Sequence, residues 1–158
     1  MNKDRDLLIY LAGLWDGEGS FMLSSFRRRS HGKYLEAPPN HDPVAQICMT
    51  INGKQEYVMQ IFKELYDGVL CNIGNPPSKN KNGKPALMWR GTCRKAIALA
   101  EDLLPFLRIK KRQAEILIRF GELRTANRAS GGKIEKQQNE ERLALRAEIR
   151  KLNHRGRV

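Results

Sequence analysis

No run of apolar residues in this 158-residue chain approaches the roughly 20 that a membrane-spanning helix needs, so no membrane partner is expected. No signal-peptide pattern opens the chain either, because its first turn carries Lys3, Asp4, Arg5 and Asp6. Cysteine is scarce. Cys48, Cys71 and Cys93 are odd in number and lack metal-ligand spacing, which argues against a disulfide framework or a zinc site. Free thiols point instead to an intracellular, reducing compartment. Acidic residues are in deficit, 17 against 29 Lys and Arg, for a net charge of +12. That balance favours a polyanion as partner, DNA or RNA ahead of an anionic membrane. No internal repeat is evident.

With 41% hydrophobic residues, the chain has enough apolar material for one domain with a real core. A helix is expected over about 4–16, with Asp4 or Asp6 near its start. A strand follows over 19–26, with Phe21 and Leu23 on one face and Ser20, Met22 and Ser24 on the other. Residues 27–43, with Arg27-Arg28-Arg29 and three prolines, read as a long loop. The next strand, 44–52, alternates cleanly: Ala45, Ile47, Met49 and Ile51 against Gln46, Cys48 and Thr50. Val58, Ile61, Phe62 and Leu65 give a helix over 55–66 that ends at Gly68. Short strands at 69–73 and 86–92 flank a loop of Gly, Pro, Asn and Lys. Helices at 94–104, stopped by Pro105, and at 110–123 complete the pattern.

The order αββαββα implies an α+β fold with one four-stranded antiparallel sheet, helices on one face and a polar face open to a partner. Residues 1–125 are expected to form the core domain and 126–158 a basic helical extension. The break is placed at Ala129-Ser130-Gly131-Gly132, and the extension's apolar positions are Leu143, Leu145, Ile149 and Leu152.

The stretch Leu11-Ala12-Gly13-Leu14-Trp15-Asp16-Gly17-Glu18-Gly19 carries the chemistry. Gly13 and Gly17 lie four apart on one helix face, a spacing that admits another backbone closely. Gly17 and Gly19 are expected to let the chain turn sharply into the strand. Asp16 and Glu18 fall where the helix ends and where its dipole disfavours anions. They are either solvated turn residues or ligands of a hard divalent cation, which would remove that penalty.

These nine residues resemble the signature of the LAGLIDADG homing endonucleases, and the motif occurs once. The chain length, the element order and "LLPFLRIKKRQAEIL", Leu103–Leu117, are similar to the single-motif members. The resemblance covers about residues 4–123. It implies a homodimer with the two motif helices side by side through Leu11, Ala12, Gly13, Asp16 and Gly17. It also implies a saddle-shaped sheet over the major groove of double-stranded DNA at a long, near-palindromic site. Hydrolysis of one phosphodiester per active site, with short 3′ overhangs, is the implied reaction. Glu18 and the Gly17 carbonyl match metal ligands, for Mg²⁺ or Mn²⁺, at the dimer interface. Lys110 matches the active-site lysine, and Asp16 is read as structural. The family's water-ordering residue, usually Gln at the end of the second strand, is expected here at Asn52 or Thr50. Phosphodiester hydrolysis needs an activated water and neutralised phosphate charge, and carboxylates with a facing cation suit both needs. Such proteins would be encoded in an intron and sited in a bacterial cytoplasm, chloroplast or mitochondrion. The alternative on the same fold is a maturase that binds intron RNA; it would be marked by loss of the acidic residue, and Glu18 is present.

DNA contacts are expected from the outward sheet face at Ser24, Arg28, Gln46, Cys48 and Thr50. Gln can bridge adenine and Arg guanine in the major groove. Arg27, Arg29, Lys33, Lys79, Lys81 and Lys84 are expected to include phosphate contacts that position without reading sequence. Trp89 and Arg90 compete for the groove-facing position of the last strand.

Overall fold

The computed structural model describes residues 4–26, 29–30, 33–34, 40–50, 56–73, 86–129 and 136–154. Helix α1, Arg5–Glu18, begins at Asp4, whose carboxylate accepts the Asp6 N–H at 3.1 Å as an N-cap. It runs two residues past the expected end, so Asp16, Gly17 and Glu18 form its last turn. Strand β1, Gly19–Phe26, follows without a loop. Two two-residue strands, β2 at Arg29–Ser30 and β3 at Lys33–Tyr34, pair with each other. Strand β4, Asn40–Thr50, starts inside the segment expected to be loop.

Pro43 is why residues 40–43 read as loop, and the register explains why it is tolerated. In an antiparallel pair a residue's N–H and C=O point to the same side. The Pro43 carbonyl accepts the Cys93 N–H at 2.8 Å, so the missing N–H would also have pointed away from β1. Leu23, its β1 partner, loses no ladder bond.

Helix α2, Glu56–Tyr66, and strand β5, Val69–Ile73, are joined by two left-handed residues, Asp67 (φ 58°) and Gly68 (φ 85°). A Cβ on Gly68 would sit 2.7 Å from the Arg90 carbonyl oxygen, so only glycine fits. Strand β6, Ala86–Thr92, leads into α3, Arg94–Leu103, and α4, Lys111–Ala129. Helix α5, Lys136–Asn153, completes the chain. The sheet order is β1-β4-β6-β5, all antiparallel, in the expected α+β class. Among the described residues no helix is long and apolar enough to cross a membrane.

The alternation seen in the sequence sets the two faces. Phe21, Leu23, Ala45, Ile47, Leu87 and Trp89 point into one core with the helices; Ser20, Gln46, Cys48, Met88 and Arg90 share the other parity. Trp15 is the hub of the core. Its ring lies 5.0 Å from Phe21, 5.7 Å from Phe62 and 6.3 Å from Trp89, centroid to centroid. Such pairs contribute about 0.5–1.5 kcal/mol each beyond the area they bury. Gly19 serves this packing: a Cβ there would come 2.3 Å from the Trp15 ring. Its φ of −76° is ordinary, and Gly17 is helical, so neither glycine supplies the sharp turn expected of them.

Helix α4 runs through the expected boundary at 125 and past its expected end at 123. Two arginine forks join it to α5: Arg112 to Glu148 at 2.7 and 3.0 Å, and Arg119 to Glu141 at 2.7 and 3.2 Å. Ile149 of α5 is buried in the common core and Leu145 packs against it, whereas Leu143 and Leu152 are exposed, against expectation. The Asn153 side-chain amide donates to the Phe21 carbonyl at 2.7 Å. Phe21 and Ala45 are a non-bonded pair by the parity that Pro43 sets, so this carbonyl faces the open edge of β1. Helix α5 therefore covers an edge strand that would otherwise offer unpaired backbone.

Candidate active site

The last turn of α1 and the turn before α4 grip each other. The Asp16 carboxylate accepts two backbone amides, Arg108 N–H at 2.7 Å on Oδ2 and Lys110 N–H at 2.9 Å on Oδ1. In return the Lys110 ammonium donates to the carbonyls of Trp15, at 3.0 Å, and Asp16, at 2.7 Å. These carbonyls belong to the last turn of the helix, where the dipole favours a cation; that of Trp15 also accepts the Gly19 N–H. The Lys110 carbonyl in turn accepts the Ala114 N–H at 3.1 Å, opening α4. The structure thus brings Lys110 to the tip of the motif helix.

Glu18 is exposed on the same turn, with no hydrogen-bond or ion-pair partner among the described residues. It presents a hard oxygen donor in a place where its own helix repels it. That donor chemistry fits a divalent cation such as Mg²⁺, with the Gly17 carbonyl beside it. The described residues contain no group of three or more His, Cys, Asp or Glu able to hold a metal ion.

The exposed side of α1 carries Ile9, Tyr10, Gly13 and Gly17, at helical spacing. Nothing lies within 4 Å of a Cβ built on Gly13 or Gly17. Packing among the described residues therefore gives no reason for two glycines that weaken a helix. Tyr57 of α2, 61% exposed, hydrogen-bonds Tyr10 beside this stripe; partial burial and that partner hold the Tyr10 hydroxyl above its ordinary range. Leu11 and Ala12, expected at a subunit contact, are wholly buried in the chain's own core, because they lie on the opposite side of α1. Ile9, Tyr10 and Tyr57 are the large side chains on the exposed side. The spacing Ile9-Gly13-Gly17 was the signal that could have found the stripe.

On the sheet, Gly19 pairs with Ile47 and Ser20 with Gln46, which sets Gln46 and Cys48 beside the C-terminal end of α1. Thr50 pairs with Ala86, three residues beyond the last β4 residue that pairs with β1. Asn52 lies outside the described residues, as do Arg27, Arg28, Lys79, Lys81 and Lys84. For Arg29 and Lys33 only the backbone is placed, in β2 and β3. The competition on β6 is resolved: Trp89 is fully buried and donates from Nε1 to the Asp67 carbonyl at 2.6 Å, so Arg90 faces outward. A row Ser20, Gln46, Arg90, Val69 then crosses the whole outward face, with Ser24 further along β1.

No known family profile and no curated protein sequence matches this chain. Solved structures do match it. The archaeal intron-encoded homing endonuclease I-Vdi141I, complexed with DNA, is 19% identical with a TM-score of 0.66, over 97% of this chain and 88% of that one. The homing endonuclease I-CvuI, in complex with a DNA target in the presence of Mg, is 15% identical with a TM-score of 0.65, over 98% and 86%. The LAGLIDADG homing endonuclease I-GzeII, in complex with its DNA target, is 16% identical with a TM-score of 0.61, over 89% of this chain and 43% of that one.

Proposed function

We propose that this chain, whose fold is that of LAGLIDADG homing endonucleases, is a site-specific DNA endonuclease that works as a homodimer. One observation carries the reading. A carboxylate with no partner among the described residues, Glu18, and a lysine held by two carbonyls, Lys110, share the tip of a helix whose exposed side carries Gly13 and Gly17. Pairing α1 with its copy along Gly13 and Gly17 covers that side and brings two Glu18 carboxylates together. The net charge of +12 attracts the DNA backbone, and the outward sheet face with Gln46 and Arg90 enters the major groove.

In the reaction this chain orients and neutralises. Glu18 and the Gly17 carbonyl would hold Mg²⁺ or Mn²⁺, which supplies charge for the phosphate and an acidified water. Lys110 keeps a fixed positive charge at the α1 tip, where negative charge builds on the scissile phosphate. Each copy cuts one strand.

Glu18→Gln tests the reading, since it keeps size and removes charge. A cleavable site is first found by incubating the protein with a random DNA library and Mg²⁺ and sequencing the cut ends. The variant should bind that site with unchanged affinity and cut it at least about a thousandfold more slowly, the loss expected for removing a cation ligand. Full turnover by Glu18→Gln refutes it. A wild-type protein that binds but cuts no DNA, and that promotes splicing of an intron RNA, would establish the maturase instead.

A further inference from the structure

We infer that Asp16 is a positioning residue for Lys110, acting through the backbone of residues 108–110 rather than as a metal ligand or a subunit contact. The inference rests on the endonuclease reading for its consequence in cleavage, but its geometry stands on its own.

Both Asp16 oxygens already have a partner. Oδ1 holds the Lys110 amide and Oδ2 the Arg108 amide, so one carboxylate fixes the turn at two points, two residues apart. Hydrogen bonds from amides to an ionised carboxylate are the strong kind. That turn carries the lysine whose ammonium returns to the carbonyls of residues 15 and 16. Chain segments more than 90 residues apart are thereby closed into one ring, from Asp16 side chain to residue 110 backbone, along the lysine stem, and back to the Asp16 carbonyl.

The ring has a consequence for charge. A lysine stem has four rotatable carbons and spreads its ammonium over several ångströms unless held. Two carbonyl acceptors fix the head, and Asp16 fixes the root. Glu18 follows Asp16 by two residues on the same helical turn, so the carboxylate and the ammonium are positioned from one rigid element. Electrostatic stabilisation depends on charges preset to the reacting phosphate, and an ångström of drift costs heavily. Arg108, whose side chain is exposed, enters only through its amide. Sequence alone hides this role, because an amide contact leaves no side-chain signature.

Asp16→Asn is the test, made on the full-length dimer. Its Oδ1 can still accept one amide, but its –NH₂ faces the other amide donor and breaks that grip. Cleavage of the selected site is measured under single turnover, with DNA affinity, dimer mass and backbone amide exchange in parallel. The expected result is a loss of about 10–100-fold in cleavage rate with affinity within about twofold of wild type and the dimer intact, the mark of a misplaced group. Exchange of the Arg108 and Lys110 amides should rise by about tenfold or more while the core strands stay protected. Asp16→Glu should restore part of both.

Unchanged amide protection at 108 and 110 would overturn the inference, as would cleavage unchanged in Asp16→Asn. Loss of affinity or of the dimer in step with rate would assign Asp16 to the subunit contact. If the wild-type protein cuts no DNA, the endonuclease reading fails, and amide exchange still decides whether Asp16 holds the turn.

Discussion

Gln46 and Arg90 stand directly opposite one another on β4 and β6, both on the outward face of the sheet. Side chains so paired lie about 4.5–5.5 Å apart at Cβ and move as neighbours. The two residues have the hydrogen-bonding pattern for adenine and guanine, so in the proposed complex they would read neighbouring base pairs. Gln46→Ala and Arg90→Ala should each relax base preference at one position per half-site, by about 1–3 kcal/mol of discrimination. Their effects should not add, because they share a contact. Cleavage or binding of every single-base variant of the target measures this. If Arg90→Ala weakens all targets equally, Arg90 contacts phosphate and reads no base.

Gly13 separates the stability of one chain from that of the assembly. An alanine has open space there, so Gly13→Ala should stabilise the isolated helix by about 1 kcal/mol. In the proposed dimer the same methyl would keep two copies of α1 apart. Gly13→Ala should therefore raise the dimer dissociation constant, and Gly13→Leu should abolish association and cutting. Sedimentation equilibrium beside thermal unfolding at low concentration would show it. A Gly13→Leu protein that remains a tight dimer would place the interface elsewhere.

Gly19 should behave in the opposite way. Its Cβ position falls within the Trp15 ring's contact distance, and Trp15 is locked by Phe21, Phe62 and Trp89. Gly19→Ala should destabilise the monomer by about 1–3 kcal/mol through overpacking. Denaturant titration reads this directly, and pairing Gly19→Ala with Trp15→Leu should recover part of the loss. No recovery would mean that the strain sits in the backbone rather than against the ring.

The hydrophobic pattern of the chain was sufficient for most of the fold. Alternation placed Phe21, Ala45 and Ile47 inward and Gln46 and Cys48 outward, because a strand's period of two leaves one register that buries the apolar set. Helical spacing did the same for Val58 and Phe62, both buried in the core. The motif marked Glu18 and, through a similar sequence, Lys110. What the sequence did not decide depended on direction and partners across space. Pro43 argued for a loop, and only the pairing on each side of β4 showed that no bond was lost. Leu11 and Ala12 lay within the motif, yet rotation of α1 against its own sheet buried them and exposed Ile9 and Tyr10 instead. Leu143 and Leu152 share the apolar character of Ile149, but among the described residues the apolar side chains by which α5 meets the core are Ile149 and Leu145. Asp16 shows the division most clearly. Its residue type and position at a helix end are written in the chain, whereas its partners are two amides more than 90 residues away, and backbone groups are the same in every sequence.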